Sequence, residues 1–134
     1  MAPADKWLVA KLREDGARLR EVRGDLLRKE PEGSQRWFQG PEGCDLFLWY
    51  RDGAGAIQIQ LTFLREVIEW SEAEGLRTGK LAAFNPWRPN RDHGRLIFDR
   101  TVDPETLRLA KALLEKASID DVTLALVRGK LGLK

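Results

Sequence analysis

Between Cys44 and Leu64 the chain reads CDLFLWYRDGAGAIQIQLTFL, two runs of aromatic and β-branched residues around Asp52-Gly53-Ala54-Gly55. Such runs favour extended backbone, and glycine supplies the positive φ of a tight reversal, so the stretch predicts a β-hairpin. Opposed residues of an antiparallel pair share a face, and a slip of one residue exchanges the faces. With Arg51 opposite Ala56, Leu46, Leu48 and Tyr50 lie across from Leu61, Ile59 and Ile57, an apolar face for helices to bury. The other face carries Phe47 and Trp49 across from Gln60 and Gln58, with Thr62 beyond. Aromatic bodies among neutral amides suit two readings: a side covered by a loop or by the N-terminal segment, or a surface that recognises a partner.

Upstream, Leu8, Leu12, Leu19, Val22 and Leu26 follow a helical spacing interrupted only by Asp15, which predicts a helix over 4–28. Pro3 suits its first turn, whereas Gly16 and Gly24 each weaken a helix interior by about 1 kcal/mol relative to alanine. Breaks near Asp15-Gly16 or by Gly24 therefore fit the composition. The same spacing permits a coiled-coil contact with a second copy. Pro31-Glu32-Gly33-Ser34 reads as a linker, and Trp37 and Phe38 place a short strand at 35–39. Over 64–71 the spacing admits a helix, but Val67, Ile68 and Trp70 also suit a strand, and we read a strand. Residues 75–81 return beside it and 95–99 add a short last strand. Asp103 before Pro104 and Glu105 predicts a capped helix with the stripe Leu107, Ala110, Leu113, Leu114 and Ala117. Asp120 or Asp121 caps a final helix carrying Val122, Leu124, Val127 and Leu131. The predicted class is α+β: an antiparallel β-meander of about five strands packed against an N-terminal helix and two C-terminal helices. All 134 residues are expected in one domain, with helix and linker over 1–30, sheet over 35–99 and the two helices over 103–131.

The segments Arg36-Trp37-Phe38, Asp45-Leu46-Phe47-Leu48-Trp49, Ile59-Gln60-Leu61, Trp70 and Ser118-Ile119-Asp120 together resemble small uncharacterised bacterial α+β proteins of about this length. The resemblance spans Gln35 to Leu131, and the stretch Phe84 to His93 departs from it. It implies the meander and the terminal helices, and no activity.

Charged residues are 33% and hydrophobic residues 43%, the balance of a globular chain, and no apolar run approaches the roughly 20 residues of a membrane helix. No export signal is legible, so a cytoplasmic protein without membrane contact is expected. One cysteine, Cys44, leaves no partner for an internal disulfide, and one histidine, His93, makes a metal site unexpected. No cofactor motif is present: Asp52-Gly53-Ala54-Gly55 is a turn, not a phosphate cradle. Nucleophilic catalysis needs a base near Ser, Cys or Thr, and His93 is the only histidine; a Cys44–His93 dyad is conceivable, but Cys44 opens a strand that reads as buried. The sequence thus leans away from an enzyme, with no catalytic residue assigned.

Net charge is +2, too small to argue for nucleic acid, but it is unevenly placed. From Gly75 to Arg100 six Lys or Arg face two Asp, and from Phe63 to Glu74 four Glu face one Arg. The bland expectation is pairing across adjacent strands. Two functions are carried forward. The first is a small cytosolic binding or regulatory module that contacts an unidentified protein or a second copy through Phe47, Trp49, Gln58 and Gln60. The alternative is a binder of a phosphate-bearing ligand or nucleic acid through segment 77–95, using Arg77, Trp87, Arg88, Arg91, His93 and Arg95.

Overall fold

The computed structural model describes residues 3–23, 33–81 and 96–133. Seven strands form one antiparallel sheet in which every strand pairs with its neighbours in sequence. They are β1 Arg20–Glu21, β2 Gly33–Gln39, β3 Asp45–Arg51, β4 Gly55–Phe63, β5 Glu66–Ser71, β6 Gly75–Leu81 and β7 Leu96–Phe98. The helices are α1 Pro3–Ala17, α2 Pro104–Leu114 and α3 Asp121–Lys130. The α+β class and the one-plus-two helix arrangement match the sequence pattern, and the meander has seven strands rather than about five.

The additional strand at the N-terminal side, β1, falls inside the helix predicted over 4–28, which in fact stops at Ala17. Gly16 is the reason. A Cβ at this position would stand 1.7 Å from the Leu113 carbonyl oxygen, so the last turn of α1 lies directly on the backbone of α2. There the chain tightens, with the Arg18 N–H donating to Asp15 O at 3.1 Å and the Leu19 N–H to Gly16 O at 3.1 Å. The Ser118 N–H reaches the same Gly16 carbonyl at 3.2 Å, which ties the end of α1 to the segment between α2 and α3. Gly33 and Ser34, read as linker, are the first residues of β2.

Alternation along the strands sends Phe38, Leu46, Leu48, Ile59, Leu61, Phe63 and Ile68 to one side, where they form a continuous core with Leu12, Leu113, Leu114, Val127 and Leu131. The stretch 64–71 is strand β5 after a two-residue turn. In the central hairpin Leu46 opposes Leu61, Phe47 opposes Gln60, Leu48 opposes Ile59 and Trp49 opposes Gln58, as the pattern predicts. The expected Arg51–Ala56 and Tyr50–Ile57 pairs do not form: Tyr50 opposes Ala56 and Arg51 opposes Gly55. A bulge between Trp49 and Tyr50 leaves Ile57 as the extra residue, and the turn closes with Gly55 at φ 77°. Tyr50 and Ile57 are consequently half-buried rather than core.

Polar side chains fasten the helices to the sheet. Asp103 caps α2 by accepting the Glu105 N–H at 2.9 Å, and Asp120 caps α3 through the Thr123 N–H at 3.1 Å and the Thr123 hydroxyl at 2.7 Å. The buried Thr78 hydroxyl of β6 donates to Asp99 at 2.7 Å and accepts the Asp103 N–H at 2.9 Å. Arg36 of β2 donates from Nε and Nη2 to the Glu21 carboxylate at 2.8 and 2.9 Å, and also reaches Thr123 Oγ1 at 2.8 Å and Asp120 at 3.2 Å. One guanidinium thus joins β1, β2 and α3. Hydrogen bonds from Arg36 hold the Glu21 carboxyl below its ordinary value, and the Thr123 hydroxyl does the same first for Asp120.

Two outcomes follow. Gly16→Ala should destabilise the protein by about 3 kcal/mol in urea denaturation, because overpacking against a backbone outweighs the ~1 kcal/mol that alanine adds to helix propensity. Because Glu21 and Asp120 are more acidic folded than unfolded, their contribution is complete above the unfolded values and is lost as pH falls through the folded ones. Urea midpoints should therefore fall as pH drops below about 4, and Arg36→Met should lower stability at neutral pH while making that acid loss shallower.

Candidate functional site

The sheet face turned away from α2 and α3 carries a different set of side chains. Pairing places Trp37 opposite Phe47, Phe47 opposite Gln60, Gln60 opposite Glu69 and Glu69 opposite Arg77, with Trp49 opposite Gln58 one step along. The Trp37 and Phe47 rings stack at 5.3 Å with 17° between planes, and Phe47 and Trp49 at 5.7 Å with 23°. Three rings therefore form one half-buried ladder across β2 and β3. The Trp37 indole N–H donates to Asp45 Oδ1 at 2.8 Å, which fixes the first ring.

Beside the ladder lies a carboxylate that is 4% exposed, Glu69 of β5. An unpaired buried carboxylate would be strongly destabilising, and here three donors converge on it. Gln58 Nε2 donates to Oε1 at 3.1 Å, Gln60 Nε2 to Oε2 at 3.0 Å and Arg77 Nη2 to Oε1 at 3.0 Å. The Arg77 guanidinium lies 3.8 Å from the centroid of the Phe98 ring, a cation–π contact. Each glutamine must turn its NH2 towards the carboxylate, so its carbonyl oxygen is left as an acceptor. Three residues along, on the opposite face of the sheet, Lys80 pairs with Glu66 at 2.8 Å, and that carboxylate raises the Lys80 ammonium above its ordinary value. The acidic and basic segments of the sequence do pair across β5 and β6, at Glu66–Lys80 and Glu69–Arg77.

Phe47, Trp49, Gln58 and Gln60, chosen from the sequence as a contact surface, are thus neighbours on one face. Trp37 and Glu69 belong with them and were not chosen. Their positions in alternating strands place them on this face once the register is known. Of the residues named for anion binding, Arg77 is occupied by Glu69, and Trp87, Arg88, Arg91, His93 and Arg95 lie outside the described residues. Cys44 is 2% exposed, and burial, with the charges of Asp15 and Asp45, pushes its thiol up to about 12, so it stays protonated at neutral pH. Among the described residues no three His, Cys, Asp or Glu side chains are grouped to hold a metal, and no helix is long and apolar enough to cross a membrane. In comparisons with protein-family models, curated proteins and solved structures, the chain matches none.

Glu69→Ala should destabilise the protein by about 3 kcal/mol, since it removes the common acceptor of Gln58, Gln60 and Arg77 and leaves a partly buried cation unpaired. Glu69→Gln should cost less, because one amide oxygen still accepts; urea denaturation of both variants measures the difference.

Proposed function

We propose that the chain is a small cytosolic binding or regulatory module that acts through protein–protein contact on the face bearing Trp37, Phe47, Trp49, Gln58 and Gln60. The stacked ladder of three half-buried rings is the observation that carries this reading. Aromatic side chains supply much contact area at little conformational cost and dominate the energetics of interfaces. The glutamine carbonyls beside them, oriented by Glu69, add acceptors for the N–H and O–H groups of a partner. The partner is a different protein or a second copy of the chain.

Two truncations test the assignment. Ile59 is 0% exposed, and Ile59→Ala should cost about 2 to 5 kcal/mol of stability. Trp49→Ala should cost clearly less and yet weaken capture of the partner in a pull-down, or self-association in analytical ultracentrifugation, by about tenfold or more. A Trp49→Ala protein that unfolds as readily as the Ile59→Ala protein would make this face core and remove the proposal's main support.

A further inference from the structure

We propose that the outer face of α3 is a dimer contact, on which α3 of a second copy of this chain packs antiparallel about a two-fold axis near Ala125. Thr123, Val127 and Leu131 turn inward and are buried. On the opposite side Val122, Ala125, Leu126 and Gly129 fall within about 100° of helix surface at 3.6 residues per turn. A surface helix ordinarily carries charged and polar residues there. Val122 is instead 82% exposed, Ala125 and Gly129 are exposed, and Leu126 is half-buried. Trp7, Leu64 and Ile97 are also exposed, each in a different part of the chain, whereas Val122 begins a strip of apolar neighbours. Gly129 is the position that the single chain does not explain. Gly16 in α1 is required by the Leu113 carbonyl, but a Cβ at Gly129 would meet nothing within 4 Å. The reversal after α3 is made at Gly132, with φ 71°, so Gly129 is not needed to end the helix. Glycine inside a helix weakens it, and what it offers in return is close approach by another molecule's side chains or backbone.

The occupant is a second copy because the strip is complementary to itself. In an isologous contact each flank of α3 meets the same flank of the copy in reverse order. With Ala125 at the axis, Val122 is level with Gly129 of the second copy to within one residue's rise, about 1.5 Å, so its branched side chain enters the space the glycine leaves. Asp121 and Arg128 are seven residues apart, about two turns, and therefore border the strip on one flank. The same axis brings Asp121 level with Arg128 of the second copy to within the same rise, once on each side of the axis. Neither residue has an ion pair or a side-chain hydrogen bond among the described residues. The Glu115 carboxylate, whose surroundings Arg128 shares, is already held by Arg13 at 2.6 Å. α3 is 10 residues long, about 15 Å, so the contact is small and the dimer weak, with a Kd of about 10 to 100 μM. Because α3 packs on the helix side of the sheet, the aromatic face stays open in the dimer and is left for a different protein.

Sedimentation velocity of the full chain from about 5 to about 500 μM tests the contact, and the parent should pass from monomer to dimer in that range. Val122→Asp and Gly129→Gln should each raise the dimer Kd about tenfold or more. Gly129→Gln replaces a helix-weakening residue at an open position, so its monomer should resist urea at least as well as the parent, which separates loss of contact from loss of fold. Asp121→Lys should weaken the dimer, and Asp121→Lys combined with Arg128→Glu should restore it, because opposite charges again face each other. Trp49→Ala should leave the dimer Kd unchanged, and undiminished partner capture by that variant would count against the aromatic face alone. A parent that stays monomeric at about 500 μM, a Gly129→Gln dimer as tight as the parent's, no rescue by the paired charge reversal, or a dimer lost in Trp49→Ala would each overturn the assignment.

Discussion

Successive side chains of a β-strand leave opposite faces of the sheet, and this alternation is the constraint under which the whole chain is built. Every strand of the meander must satisfy two environments at once. On the helix side Leu46, Leu48, Ile59, Leu61 and Ile68 are all 0% exposed, and each contributes about 1.5 to 3 kcal/mol by leaving water. On the other side the same strands hold rings, amides and a carboxylate. Neither face can be altered by a shift in register without spoiling the other, because a one-residue slip carries Glu69 into the leucine core.

Within that constraint the charges act as markers of register more than as sources of stability. An exposed ion pair such as Arg51–Glu72 is worth little by itself. Glu66–Lys80 and Glu69–Arg77, however, are directly opposed pairs three residues apart, one on each face of β5 and β6, so a displaced pairing would break both together. Arg36 does the equivalent for tertiary placement, since β1, β2 and α3 must all be in position before its hydrogen bonds close. The uneven charge along the sequence is therefore largely a property of the fold.

The parts of the structure legible in the sequence are those governed by local chemistry. The Asp103 and Asp120 caps, the hairpin around Asp52-Gly53-Ala54-Gly55 and the strand at 66–71 follow from short-range preferences. The end of α1 was only half legible: Gly16 marked a weak point, but what decides it is the Leu113 backbone, 97 residues away. The bulge was hidden for a related reason, since Tyr50–Ile57 is as reasonable locally as Tyr50–Ala56 and only turn closure selects between them. For the candidate face, Phe47, Trp49, Gln58 and Gln60 could be found from one hairpin. Glu69 could not, because its burial depends on donors from both neighbouring strands.

The seat of α1 on α2 bears on how the chain is made. Strands β2 to β6 follow one another across connections of two to five residues, so this part of the sheet can assemble early during synthesis. α1 cannot join it so early: Asp5 meets Arg108 across 103 residues of chain, which at ordinary translation rates is a delay of about 5 to 20 s. Over that interval Leu8, Val9 and Leu12 have no α2 to pack on and stay in water. Of the three helices, α1 is thus made before α2 and α3 and yet cannot be seated until α2 has followed it.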